Sequence, residues 1–153
     1  MITRRAFLLL GVAAGTAHAQ LPPNIAELRR QALDEAIRKV VGNAQVRTGK
    51  VKLDLPPLID NGNTVPLSVE VDSPMTAADH VKAIHVFTEK NPQPYVLSAH
   101  LGPRSGRARI TTRARIADTG VVTAIAQMSD GSFWSDSVKV IVTLSACLEE
   151  GLI

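Results

Sequence analysis

The chain predicts a mainly β fold, an immunoglobulin-like antiparallel β-sandwich of about seven strands preceded by one α-helix, and three observations carry that reading. From Lys50 onward apolar residues recur with period two, the spacing that puts alternate side chains on one face of a strand. Runs of strand length return about every dozen residues. Between them stand Asp60-Asn61-Gly62, Asn91-Pro92-Gln93-Pro94, Gly102-Pro103 and Ser129-Asp130-Gly131, all strong chain reversers.

The N-terminus reads as an export signal. Arg4 and Arg5 precede the apolar stretch Leu8 to Ala14, and Ala17-His18-Ala19 supplies the small residues of a cleavage point before Gln20. The stretch is too short to span a bilayer, and the adjacent arginines match the twin-arginine route. Residues 1–19 are therefore expected to be a twin-arginine signal peptide and the mature protein to be periplasmic. Removing 19 of 153 residues leaves 134, one domain with enough length for a core. Of 17 basic residues two leave with the signal, so 15 face 14 acidic ones. A nearly neutral domain offers no general attraction for nucleic acid or an anionic membrane, and neither is expected as a partner.

A helix follows the Leu21-Pro22-Pro23 lead. Ile25, Leu28, Ala32, Leu33, Ala36, Ile37, Val40 and Val41 follow the 3-4-3 spacing of one buried face. Asn24 with Glu27 forms a capping-box pattern, and Gly42-Asn43 supplies a left-handed stop. Expected strands are Val51 to Leu55, Val65 to Val71, Val81 to Thr88, Tyr95 to Leu101, Arg107 to Ile116, Val121 to Met128 and Ser137 to Leu144. With the helix they make a domain over residues 20–144, leaving 145–153 as a flexible arm. On the fifth strand Arg107, Arg109, Arg113 and Arg115 share one side with Thr111, either a solvated face or a row able to grip oxyanions and carboxylates.

Most site chemistry is missing from the sequence. There is no phosphate-cradling glycine loop, no paired-histidine metal spacing and no Gly-x-Ser-x-Gly elbow, so no cofactor or metal is expected. His80, His85 and His100 are scattered along the chain and read as strand or turn residues. Phe133 and Trp134 read as core or interface anchors.

Cys147 stands apart. It is the single cysteine, six residues from the end of the chain, so an exported protein could not pair it internally. A free thiol is mostly protonated at neutral pH, and Glu149 and Glu150 beside it favour that form, so activation would fall to a partner. A thiol on an arm suits a covalent carrier, with substrate held while separate enzymes act on it.

The chain resembles the SoxY family of thiosulfate-oxidation carrier proteins. The resemblance runs through the twin-arginine signal, the leading helix, Leu58-Ile59-Asp60-Asn61-Gly62-Asn63-Thr64-Val65-Pro66, Lys82-Ala83-Ile84-His85-Val86-Phe87 and Asn91-Pro92-Gln93-Pro94. It continues through Thr111-Thr112-Arg113-Ala114-Arg115-Ile116 and Ser129-Asp130-Gly131-Ser132-Phe133-Trp134 to the terminal cysteine. It implies an immunoglobulin-like carrier subunit, not itself an enzyme, paired with a SoxZ-like subunit as a heterodimer. Cys147 would be the point of covalent substrate attachment, loaded by a haem-containing enzyme, trimmed by a sulfate-releasing hydrolase and oxidised by a sulfane dehydrogenase. The family's Gly-Gly-Cys-Gly-Gly end is replaced here by Ser145-Ala146-Cys147-Leu148-Glu149, so only the cysteine itself carries over.

Three functional classes follow: a periplasmic sulfur carrier, a structural or binding subunit using Cys147 for an intermolecular disulfide, and a Cys-dependent enzyme with His85 or His100 as base.

Overall fold

The structure, a computed structural model, describes residues 24–144. The expected signal peptide and the arm with Cys147 lie outside them. The elements in order are α1 (Ile25–Val41), β1 (Val46–Thr48), β2 (Val51–Asp54), β3 (Leu58–Ile59), β4 (Val65–Val71), β5 (Val81–Thr88) and β6 (Tyr95–His100), then, after a 3-10 turn at Pro103–Ser105, β7 (Arg109–Ala114), β8 (Gly120–Met128) and β9 (Phe133–Val142).

The strands form two packed sheets. The larger runs β1-β9-β8-β5-β6, with β3 also paired to β9, and the smaller runs β2-β4-β7. Their facing sides bury Leu53, Val65, Leu67, Val69 and Val71 against Ile84, Val86, Val122, Ala124, Ala126, Val140 and Val142. This is the core the period-two pattern predicted, because alternate residues must leave water together. Along one side the sheets are tied where the Leu53 N–H donates to Asp136 Oδ2 at 2.9 Å, linking β2 to β9. Along the other side β6 pairs only with β5 and β7 only with β4, so the sandwich opens between them.

The expected mainly β sandwich with one helix is the fold observed. The seven expected strands are present within a few residues of their predicted ends, and two short ones, β1 and β3, are added. Both run parallel to β9, Val46 opposite Phe133 and Leu58 opposite Ile141. Three and two residues are too few to show periodicity, and each exists only because β9 offers an edge in space.

Helix α1 begins and ends where the caps predicted. Asn24 accepts from the Ala26 N–H at 3.1 Å, and Gly42, at φ 61°, donates its N–H to the Arg38 carbonyl. Glu27 does not close a capping box. Its carboxylate is held by Arg30 at 2.7 and 3.1 Å and by Gln31 at 3.0 Å. The predicted single buried face is also only partly realised, since Ile25 and Leu28 in the first turns remain exposed. Leu33, Ala36, Ile37, Val40 and Val41 pack on Phe87, Ile125 and Phe133, on the outer face of the larger sheet. Strand β5 thus lies between two apolar layers, which is why it is buried on both faces from Ala83 to Thr88.

Candidate functional site: the root of the C-terminal arm

The last described residues fix where the arm starts. Strand β9 ends at Val142, whose N–H donates to Thr119 Oγ1 at 2.9 Å. Thr143 is pinned by its N–H to the Ile59 carbonyl at 2.9 Å and by its hydroxyl to the carbonyls of Ile59 and Asp60 at 3.3 and 3.2 Å. The Leu144 carbonyl accepts from the Gly62 N–H at 3.2 Å, and the Gly62 carbonyl accepts from the Ile116 N–H at 2.8 Å. Asp60-Asn61-Gly62 is therefore a clamp on the arm's root as well as a turn.

A second loop is tied to the same place. Asn91 donates from Nδ2 to the Arg115 carbonyl at 2.9 Å and accepts from the Ala117 N–H at Oδ1 at 2.7 Å. The Thr88 N–H donates to the Pro94 carbonyl at 2.9 Å, closing the Asn-Pro-Gln-Pro loop at its base. Three segments far apart in sequence thus meet at one end of the sandwich, where Leu144, the last described residue, also stands. Leu58, Ile141 and Leu144 around the root are exposed apolar residues.

The open side of the sandwich adjoins this end. A groove of about 590 Å³ lies between the unpaired edges of β6 and β7, walled by Tyr95, Val96 and Leu97 on one side and Thr112 to Arg115 on the other. The predicted arginine row divides along β7. Arg109 stands opposite Glu70 in register, and Arg107, which precedes the strand, reaches Glu70 at 3.8 Å with both side chains solvated. Arg113 stands opposite Pro66, and it and Arg115 line the groove.

The histidines are less scattered than the sequence implied. Pairing of β5 with β6 brings the His85 and His100 rings to 6.4 Å between centroids, and His85 Nδ1 lies 2.7 Å from the Tyr95 hydroxyl. His85 is buried and its Nε2 has no partner among the described residues. Burial lowers its pKa from the ordinary 6.5, and the nearby His100 lowers it further. His80 sits apart, its Nδ1 3.1 Å from the Thr76 carbonyl. Among the described residues no three His, Cys, Asp or Glu side chains group as a metal site.

Neither histidine is near the arm's root. Through the β5–β8–β9 register His85 aligns with Ile125 and Ser135, and Ala83, opposite His100, aligns with Gln127 and Phe133. Ser135 is seven residues back from Val142, about 23 Å along the strand, whereas the five residues from Val142 to Cys147 span at most about 18 Å. Phe133 and Trp134 also lie at the far end. Phe133 is buried beneath α1, while the half-buried Trp134 donates from Nε1 to Ser132 Oγ at 3.2 Å, with Arg47 and Lys50 over its ring.

The chain is similar to known proteins of one family in particular. The family model described as "Sulfur oxidation protein SoxY" matches residues 37–147. Among solved structures, the sulfur carrier protein SoxY from Chlorobium limicola f thiosulfatophilum is 26% identical, with 74% of this chain and 98% of that chain covered and a TM-score of 0.62. A superoxide reductase (neelaredoxin) from Ignicoccus hospitalis is 16% identical over 63% of this chain and 94% of that one, with a TM-score of 0.57. A putative superoxide reductase from Thermotoga maritima is 19% identical over 65% and 95%, with a TM-score of 0.56. These last two share the fold alone. No curated protein matches the chain significantly. With most of its length matched, from the middle of α1 through the arm cysteine, the chain belongs to the SoxY family of sulfur oxidation proteins.

Proposed function

We propose that this protein is the periplasmic carrier subunit of a thiosulfate-oxidising system, exported by the twin-arginine route and holding sulfur intermediates covalently on Cys147. One observation carries the reading: the match to the SoxY family extends to residue 147, so it includes the lone cysteine as well as the sandwich. The clamp at Thr143 and Leu144 supports it, because a firmly held root lets a short arm present one thiol at a fixed end of a rigid domain.

The chemistry asked of Cys147 is simple. Loading joins the thiol sulfur to the outer sulfur of thiosulfate, releasing one proton and two electrons, which the haem-containing enzyme takes up. Hydrolysis then adds water across the bond to the sulfonate group, freeing sulfate and a proton and leaving a persulfide. The sulfane dehydrogenase oxidises that remaining sulfur. The carrier supplies the covalent bond and the reach, and a SoxZ-like subunit completes the heterodimer.

Mass spectrometry of the protein purified with its partner, then given thiosulfate and the loading enzyme, tests this. A thiosulfate-derived adduct, absent from Cys147→Ala, is expected. Failure to load under conditions that load a glycine-armed relative would overturn it, and a Cys147-linked dimer on non-reducing gels would assign the cysteine to a disulfide instead.

A further inference from the structure

We propose that the partner subunit joins at the open side of the sandwich, where an extended acidic segment of it pairs with the free edge of β6 and closes the gap toward β7; this rests on the heterodimer of the functional reading above.

The edge itself invites pairing. The Leu101 N–H donates to the Lys82 carbonyl, and because backbone directions alternate along a strand, Ala99 and Leu97 face β5 as well. Ser98 and His100 therefore turn their N–H and C=O groups outward, and no strand follows β6 among the described residues. An open edge draws in another chain unless it is short or charged. The other edges are blunted in those ways: β1 and β3 are three and two residues long, β2 carries Lys52 and Asp54, and β7 carries Arg109 and Arg113. Strand β6 runs Tyr95-Val96-Leu97-Ser98-Ala99-His100, six residues with no Lys, Arg, Asp, Glu or Pro among them.

The surroundings fit an added strand. Beside β6 lies the groove of about 590 Å³, whose apolar wall is formed by Val96 and Leu97. Helix α1 touches β5 and β6, yet Ile25 and Leu28 in its first turns are 53% and 41% exposed, so its apolar stripe outruns the sheet. A strand about 4.8 Å beyond β6 would widen the floor beneath that stripe.

Charge selects the occupant. Arg113 lines the opposite wall of the groove and stands opposite Pro66 in register. A carboxylate on the incoming strand can take that guanidinium bidentately. A second copy of β6 has no carboxylate to offer, and pairing two β7 edges would set arginine against arginine, so an acidic strand of a different chain fits better than a copy of this one.

Amide hydrogen exchange of the full chain, alone and co-purified with its SoxZ-like subunit, reads the edge. The Ser98 and His100 amides should exchange about tenfold more slowly in the complex. Ser98→Pro removes an N–H that β5 does not use, and it should weaken the complex about tenfold while Ser98→Ala leaves it intact. Arg113→Glu should weaken it and flatten its salt dependence. A complex in which protection appears around Val121 and Ile141 with β6 unchanged would overturn the proposal, as would a Ser98→Pro complex as tight as the parent's. So would protection of β6 that rises with concentration in the chain alone, since the occupant would then be a second copy. Adduct formation on Cys147 is read separately by mass spectrometry. A protected β6 without adduct would sink the carrier reading alone, whereas an adduct on a chain that binds no such subunit would sink the docking edge alone.

Discussion

Replacing Asn91 by Ala tests whether the Asn-Pro-Gln-Pro loop holds the arm end together. The Asn91 amide makes two bonds to backbone that is 24 and 26 residues away, to the Arg115 carbonyl at 2.9 Å and from the Ala117 N–H at 2.7 Å. Ala117 is almost fully buried, so its N–H would lose a partner that water cannot easily replace. A buried backbone donor left unpaired costs about 1–3 kcal/mol, and loss of the second, more exposed bond adds about 0.5–1.5 kcal/mol. The expected destabilisation is therefore about 1.5–4.5 kcal/mol. With a urea dependence of about 2 kcal/mol per molar, the unfolding midpoint measured by circular dichroism should fall by about 1–2 M. Because Ile116 bonds the Gly62 carbonyl, amide exchange at Gly62 and Ile116 should speed up more than in β4 or β5. A midpoint shift corresponding to less than about 0.5 kcal/mol, the size of an ordinary surface substitution, would refute the reasoning.

Three further outcomes follow from the same contacts. Phe87→Ala empties the centre of the layer between α1 and the sheet and should cost about 3–5 kcal/mol, with amide protection in α1 lost before that of β8; equal loss throughout would mean the helix is held otherwise. His85, with its pKa lowered by burial and by His100, stays neutral in the fold while the unfolded chain takes up a proton below about pH 6.5. Its contribution is complete above that pH and falls away as the pH drops toward the folded value, so urea midpoints should decline from pH 7.5 to 5.5 more steeply in the parent than in His85→Gln, and identical slopes would exclude the effect. Changing Ser145, Ala146, Leu148 and Glu149 to Gly and ending the chain after residue 149 should raise the adduct yield on Cys147 by mass spectrometry, because glycines slim and loosen an arm; an unchanged yield would show that neither bulk nor stiffness limits loading.

The fold was legible wherever one segment carries its own pattern. Val65–Val71 and Val81–Thr88 have the bounds that alternation and their flanking turns predict, and α1 starts at Asn24 and stops at Gly42 as its caps require. Strands β1 and β3 were not legible, because each is specified by the edge of β9 rather than by its own few residues. The same holds for the histidines. His85 and His100 are 15 residues apart and show no ligand spacing, yet the β5–β6 register sets their rings 6.4 Å apart.

By itself the sequence determined the fold class, the family resemblance and the lone thiol at the end of the chain, since periodicity, turn residues and a single cysteine are properties of local composition. Tertiary structure decided what surrounds the arm's departure. Gly62, Asn91 and Ile116 come together only because β4 begins and β5, β7 and β9 finish at one end of the sandwich, and Arg109 stands opposite Glu70 while Arg113 stands opposite Pro66 only through antiparallel pairing. Hydrogen bonds and charge neutralisation act over a few ångströms through space, and sequence distance does not encode those separations until the chain is packed.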